Sequence, residues 1–147
     1  MAKFIYRMQS ILDIKAKMEE QAKMEFAQAK IRLDEEEERL EILRERKAGY
    51  EEQGRLLRKD SLKVLEILEN RDAISRMEEF IHLQKQAVRR AENLLEEARY
   101  QLQIARQESK TQERLKEKAF EQFVRDENAR EAKEIDELTS YTYGQKA

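Results

Sequence analysis

The chain has 147 residues, of which 42% are charged and 39% hydrophobic, with no proline, cysteine or tryptophan and three glycines. Its formal net charge at pH 7 is −2. This composition is typical of long helices that bury narrow seams, and it excludes disulfides, thiolate metal sites and a strongly basic nucleic-acid-binding protein. No run approaches the roughly 18 to 20 apolar residues that cross a bilayer, and the opening is too charged for the apolar core of a signal peptide.

The first predicted helix spans about residues 3–58. Between Phe4 and Tyr50 apolar residues recur at alternating steps of three and four, which indicates a heptad seam. Glu36 and Lys47 interrupt that seam with charge. At ~1.5 Å of rise per residue such a helix is roughly 80 Å long, and it needs a partner helix to be stable in water.

Two positions are candidates for the turn that follows. Gly49 and Gly54 each weaken the helix by about 1 kcal/mol relative to alanine. Two basic residues suited to a helix C-terminus then precede an aspartate and a serine with N-cap oxygens, which places the turn at about 58–61. The cap-like Asn70 makes 70–73 the alternative.

The second predicted helix spans about residues 62–141, followed by a short C-terminal tail. With the turn at 58–61, antiparallel partners have residue numbers that add to about 120, so that Leu40 faces Ile81 and Phe26 faces Leu95. Apolar residues then oppose each other along the seam. We therefore predict an all-α fold, an elongated antiparallel two-helix coiled coil that forms a single domain over residues 1–147.

The second helix is longer than the first, so this register leaves residues 119–143 without cover from the chain itself. Between residues 119 and 140 seven acidic side chains outnumber three basic ones. The larger apolar groups of this end are Phe120, Phe123, Val124, Ile135, Leu138, Tyr141 and Tyr143. An acidic helix with an apolar side is typical either of a docking surface or of one half of a coiled coil.

The sequence offers no arrangement for catalysis. His82 is the only histidine, and no serine or cysteine nucleophile stands in a motif with it. The acidic run 34–38 points all around a helix, which favours a solvated face over a metal cage. Residues 85–118 carry a weak positive excess, too small to indicate nucleic acid. We expect no enzyme activity, cofactor, metal or nucleic-acid partner.

Aromatic residues gather towards the two ends of the predicted hairpin. Phe4 and Tyr6 stand at the N-terminus, and Tyr50 and Phe80 lie nearer the turn. Aromatic side chains dominate the energetics of interfaces, so this placement favours partners that bind at the ends. Capping of the coiled coil, or a dimer seam, is an equally good explanation.

The two ends of the chain resemble the flagellar export protein FliJ family. The opening KFIYRMQSILDIKAKMEEQAK and the closing LKEKAFEQFVRDENAREAKEIDELTSYTYG carry the resemblance, which spans the whole chain. Its most specific part is the closing stretch, where the matching residues are Glu127, Asn128, Lys133, Asp136 and Glu137.

The resemblance implies a non-catalytic cytoplasmic component of the type III apparatus that builds the bacterial flagellum. Proteins of this family are antiparallel coiled coils similar to the central stalk of rotary ATP synthases. One end enters the ring of the export ATPase FliI and promotes its assembly into a hexamer. Another surface contacts the export gate protein FlhA, and the family also cycles export chaperones. The implied location is the cytoplasmic face of the inner membrane at the flagellar base, without direct insertion.

The resemblance and the exposed ends together select candidate residues for two partners. The candidates for the ATPase are Phe4, Tyr6, Phe120, Phe123, Glu127, Asn128, Lys133, Asp136 and Glu137. The candidates for the export gate are Leu43, Tyr50, Phe80 and Ala87. Two other functions are considered: a homodimeric coiled-coil scaffold without an ATPase partner, and a membrane-surface protein that uses its basic N-terminus.

Overall fold

The computed structural model describes residues 2–59 and 63–146, with the backbone alone at Lys146. Two helices account for nearly all of these residues: α1 (Gln9–Lys59) and α2 (Val64–Lys146). No strand occurs in the described ranges. The two long helices pack against each other as an all-α antiparallel hairpin, which confirms the predicted fold class.

The start of the first predicted helix and the end of the second need correction. α1 begins at Gln9 rather than near residue 3, because residues 2–6 are not helical and 7–8 form a turn. The Gln9 amide donates to the Tyr6 carbonyl at 3.2 Å as the helix starts. At the other end α2 continues to Lys146, so the expected short tail is helical. Local bonds support this last turn, since Gln145 Nε2 donates to the Tyr141 hydroxyl at 2.6 Å.

The helix ends also decide between the two candidate turns. Residues 70–73 lie inside α2, so the chain does not turn there. Asn70 is 6% exposed and bonds across the seam instead of capping a helix. The turn predicted at 58–61 begins within the last residues of α1, and positions 60 and 61 lie outside the described residues.

The hairpin divides into two compact units. We call Met1–Gln21 with Gln103–Ala147 the terminal unit, and Ala22–Leu102 the central unit. The expectation of a single domain stays a prediction. Each unit buries a narrow seam between the helices. The buried apolar residues are Ala22, Leu40, Val88, Ala91 and Leu102 in the central unit and Ala105 in the terminal unit.

The register differs from the expected one by about one helical turn. The pairs that define it are Lys47 with Glu78 and Gly54 with Asn70 in the central unit, and Phe4 with Phe120 and Lys15 with Glu108 in the terminal unit. Their residue numbers add to between 123 and 125, where about 120 was predicted. The reason is that α1 runs to Lys59 and α2 begins at Val64, so the point of reversal lies about two residues further along.

Candidate partner-binding surfaces

The non-helical N-terminal segment lies against α2 through Phe4. The Phe4 ring meets Phe120 edge to face, with centroids 5.3 Å apart, and Phe123 in a tilted arrangement at 5.4 Å. Such aromatic pairs contribute about 0.5–1.5 kcal/mol beyond the burial of their area. Three of the predicted ATPase-binding residues are thus brought together. The expectation that α2 is uncovered from residue 119 onward is wrong, because Phe4 covers part of Phe120 and Phe123.

Tyr6 lies in the same segment with its side chain half-buried. Its hydroxyl is shielded from solvent and has no hydrogen-bond partner among the described residues. An unsatisfied buried hydroxyl costs about 1–3 kcal/mol, a cost that the ring contacts of Phe4 help to offset. Ile5, between the two aromatic residues, is 77% exposed.

Beyond Glu127 every described side chain of α2 is exposed. Glu127 is half-buried and pairs with Arg130, whose Nη2 lies 2.7 Å from Glu127 Oε2. We call residues 128–145 the overhang, because every side of α2 is exposed there. The predicted ATPase-binding residues exposed on it are Asn128, Lys133, Asp136 and Glu137.

The overhang exposes large apolar side chains as well as charges. Ile135, Leu138 and Tyr141 are 62%, 67% and 65% exposed, and they follow one another at three-residue steps on one side of the helix. Ile135, Leu138 and Tyr143 also line a shallow groove of about 360 Å³. An unsupported helix of this length is marginal in water, so a surface of this kind favours a partner that covers it.

The four gate candidates lie in the central unit, and only one of them is well exposed. Leu43, Tyr50 and Ala87 are half-buried along the seam, whereas Phe80 is 50% exposed. Leu83, which was not among the candidates, is 59% exposed and lies on the same side of α2 as Phe80. The three-residue spacing of this pair was the signal that could have revealed it.

Sequence reasoning also did not predict a polar contact of Asn70 next to Tyr50, which we call the asparagine lock. Asn70 Nδ2 donates to the Tyr50 carbonyl oxygen at 2.8 Å, across the two helices. Gly54 makes this possible, because a Cβ at that position would collide with the Asn70 amide. The glycine that was expected only to weaken α1 therefore leaves room for a polar contact in the seam.

Glu36 is the buried member of the acidic run 34–38, in keeping with its place in the predicted seam, whereas the other four residues are exposed. It is 4% exposed, and Arg32 Nε and Arg39 Nη1 each lie 3.2 Å from its Oε1. Gln84 Nε2 on α2 donates to the Glu36 carbonyl oxygen at 2.9 Å and also bonds its carboxylate. The buried charge is therefore paired and hydrogen-bonded, as such groups need to be.

Two further features of the described residues concern membranes and metals. No helix of residues 2–59 and 63–146 is long and apolar enough to span a membrane. Those residues also contain no group of three or more His, Asp or Glu side chains that could hold a metal ion.

By its fold the chain is an all-α helical hairpin with exposed aromatic and apolar side chains. A family model described as the flagellar FliJ protein matches residues 4–147. The chain therefore belongs to the FliJ family, as the resemblance predicted, and is a non-catalytic component of the flagellar export apparatus. Comparisons with curated proteins and with solved structures each found no match.

Proposed function

We propose that the chain is a stalk-like component that binds the ring of the export ATPase FliI through its terminal unit. In this proposal it promotes assembly of the ATPase hexamer and links the ATPase to the export gate protein FlhA and to export chaperones. The observation that carries the proposal is the overhang, a helical segment that belongs to a flagellar export protein and has every side exposed.

The chemistry of the overhang suits a partner that surrounds it. Ile135, Leu138 and Tyr141 offer apolar area, and residues 128–145 carry four acidic side chains against two basic ones. Subunits arranged around a central opening can contact several sides of one helix at once. A ligand that binds only the assembled ring stabilises the ring by mass action, which is how a stalk promotes assembly.

The contact with the gate is assigned to the central unit. Phe80 supplies an exposed aromatic anchor there, and Leu83 adds apolar area beside it. Tyr50, Leu43 and Ala87 border the seam and contribute their exposed edges. The proposed location is the cytoplasmic face of the inner membrane, where the chain is held peripherally by its protein partners.

Binding to the purified ATPase tests the proposal. We expect the double variant Ile135→Ser/Leu138→Ser to weaken binding at least tenfold, because it removes the apolar side of the overhang. Ile31→Ser is the matched control, since Ile31 is 58% exposed in the central unit. Phe80→Ala should weaken binding to the gate protein and leave ATPase binding unchanged. Undiminished ATPase binding by the double variant would reject the role of the overhang.

A further inference from the structure

The two sides of the central unit carry different chemistry. The residues of each helix that face the seam follow one another in alternating steps of three and four. On α1, Arg32, Arg39 and Arg46 each stand just before a seam residue that is followed by the next one three positions later, which is heptad position g. The residues in the equivalent positions on α2 are Phe80, Ala87 and Leu94. Equivalent positions of antiparallel helices lie on the same side of the pair. Residues that follow the seam, such as Glu78 and Arg99, contact α1 from the other side.

We call this side the arginine flank. It consists of Arg32, Glu35, Arg39, Ile42 and Arg46 on α1 and Arg76, Phe80, Leu83, Ala87, Arg90, Leu94 and Glu97 on α2. Five large apolar side chains are exposed between residues 28–50 and 75–97, and four of them lie on this flank: Ile42, Phe80, Leu83 and Leu94. The fifth, Ile31, points away from the seam on the outermost face of α1.

The charges of the arginine flank are only partly neutralised, because its five arginines outnumber its two carboxylates, Glu35 and Glu97. Arg32 and Arg39 bind the buried Glu36, whereas Arg46, Arg76 and Arg90 have no ion pair within the described residues. The opposite side has no large exposed apolar residue in the same ranges, and there carboxylates outnumber cations. One side therefore fits a partner that is both apolar and acidic, and the other side does not.

The chain itself carries a segment with that chemistry. In the overhang, Glu131 and Glu134 stand one turn before Ile135 and Leu138, on the same side of the helix. Neither carboxylate has an ion pair in the part of the chain that the structure describes. The overhang, roughly 27 Å long, is also long enough to cover the stretch from Phe80 to Leu94, which is about 21 Å long at ~1.5 Å per residue.

We infer that the chain self-associates, with the overhang of one copy lying along the arginine flank of a second copy. Ile135 and Leu138 pack on Phe80, Leu83 and Leu94 of the second copy, and the glutamates meet its free arginines. Guanidinium groups bind carboxylates in a forked geometry, which fixes the alignment of the two helices. Self-association covers the overhang and Phe80 together, so associated copies present neither surface to other partners. This inference does not depend on the ATPase or gate contacts proposed above.

Sedimentation equilibrium of the full chain tests it between about 1 and 200 µM, in 50 and 300 mM NaCl. We expect the average mass to rise with concentration, and to rise less at the higher salt, because salt screens the arginine–carboxylate pairs. Leu138→Glu and Phe80→Glu should each leave the chain monomeric over this range. A chain that is monomeric throughout at both salt concentrations would overturn the inference.

Matched charge reversals locate the contact. Arg90→Glu should weaken self-association at least fivefold, whereas Arg89→Glu, one residue earlier and on the opposite side, should not change it. Equal effects of the two reversals would overturn the assignment to the arginine flank. Circular dichroism of each variant, with unchanged helix content, excludes loss of folding as the cause.

A charge swap between two chains identifies the occupant. One variant is Arg46→Glu/Arg90→Glu, and the other is Glu131→Arg/Glu134→Arg. We expect each variant alone to be mostly monomeric and an equimolar mixture to form mixed complexes, because the reversed charges attract again. Failure of the mixture to associate would overturn the pairing. So would binding of the monomeric wild type to anionic vesicles through Arg90, since the flank would then serve a lipid surface.

Discussion

The central and terminal units use the same two helices in different ways. The central unit joins them through polar bonds that cross the seam, from Asn70 to the Tyr50 carbonyl and from Gln84 to Glu36. The terminal unit is joined by a small cluster of rings, in which Phe4 of the N-terminal segment contacts Phe120 and Phe123 of α2, and by the partly exposed Lys15–Glu108 ion pair between the helices. Beyond Glu127 α2 continues alone. Polar groups in a helix seam set its alignment, at a cost in stability. The terminal unit, whose ion pairs between the helices are partly exposed, leaves apolar surface on α2 for partners.

The largest effect is expected in the central unit, which holds five of the six buried apolar residues. Leu40 is 8% exposed, so Leu40→Ala removes buried methyl groups and should lower the free energy of unfolding by about 2–4 kcal/mol. Urea denaturation measures this change. Ile42→Ala, at a 41% exposed position two residues away, is the control and should cost far less. Similar losses for both variants would contradict the assigned seam.

The next prediction concerns the ring cluster of the terminal unit. Phe4→Ala should destabilise the contact between the N-terminal segment and α2 by about 1–3 kcal/mol, because two aromatic contacts and their buried area are lost. Hydrogen exchange should become faster around residues 112–123 and stay unchanged around residues 77–95. Ile5→Ala, at the 77% exposed neighbouring position, should change neither region.

The effect of Gly54→Ala on the free energy of unfolding is expected to change sign when Asn70 is replaced. In the wild type Gly54→Ala should destabilise by about 1 kcal/mol, because the new Cβ displaces the Asn70 amide from the Tyr50 carbonyl. In an Asn70→Ala background the same substitution should stabilise by about 1 kcal/mol, since alanine is the better helix former. The double-mutant cycle of unfolding free energies measures the difference.

Gly49→Ala provides the control for that cycle. A Cβ at Gly49 meets nothing within 4 Å, so the substitution should stabilise the protein equally in both backgrounds. Stabilisation by Gly54→Ala in the wild type would show that the asparagine lock does not restrict this position.

The smallest effect is expected from the ion pair of the terminal unit. Lys15 Nζ lies 2.9 Å from Glu108 Oε2, but both side chains are partly exposed, so solvent and salt screen the attraction. A double-mutant cycle with Lys15→Ala and Glu108→Ala should give a coupling of about 0.2–1 kcal/mol that falls as NaCl is added. A coupling above that range would mean that charge pairs, as well as rings, hold the terminal unit together.

The candidate site was only partly predictable from the sequence. The exposure of Ile135 and Leu138 was predictable, because the second predicted helix is longer than the first. In the structure α2 is exposed on every side from residue 128 to residue 145. The cover that Phe4 provides for Phe120 was not predictable, because the periodic pattern extends the helix back to Phe4. The helix instead begins at Gln9, and the segment before it places the Phe4 ring against α2.

The sequence by itself determined two long helices, their antiparallel hairpin and, through its two ends, membership of the FliJ family. These features depend on helical periodicity and local composition, which each stretch of chain carries independently. Only the tertiary structure decided the register, the partners that Glu36 finds across the seam and the space that Gly54 leaves for Asn70. Alignments one turn apart all place apolar residues opposite each other, so the choice among them depends on where the chain reverses and on which polar groups can pair across the seam.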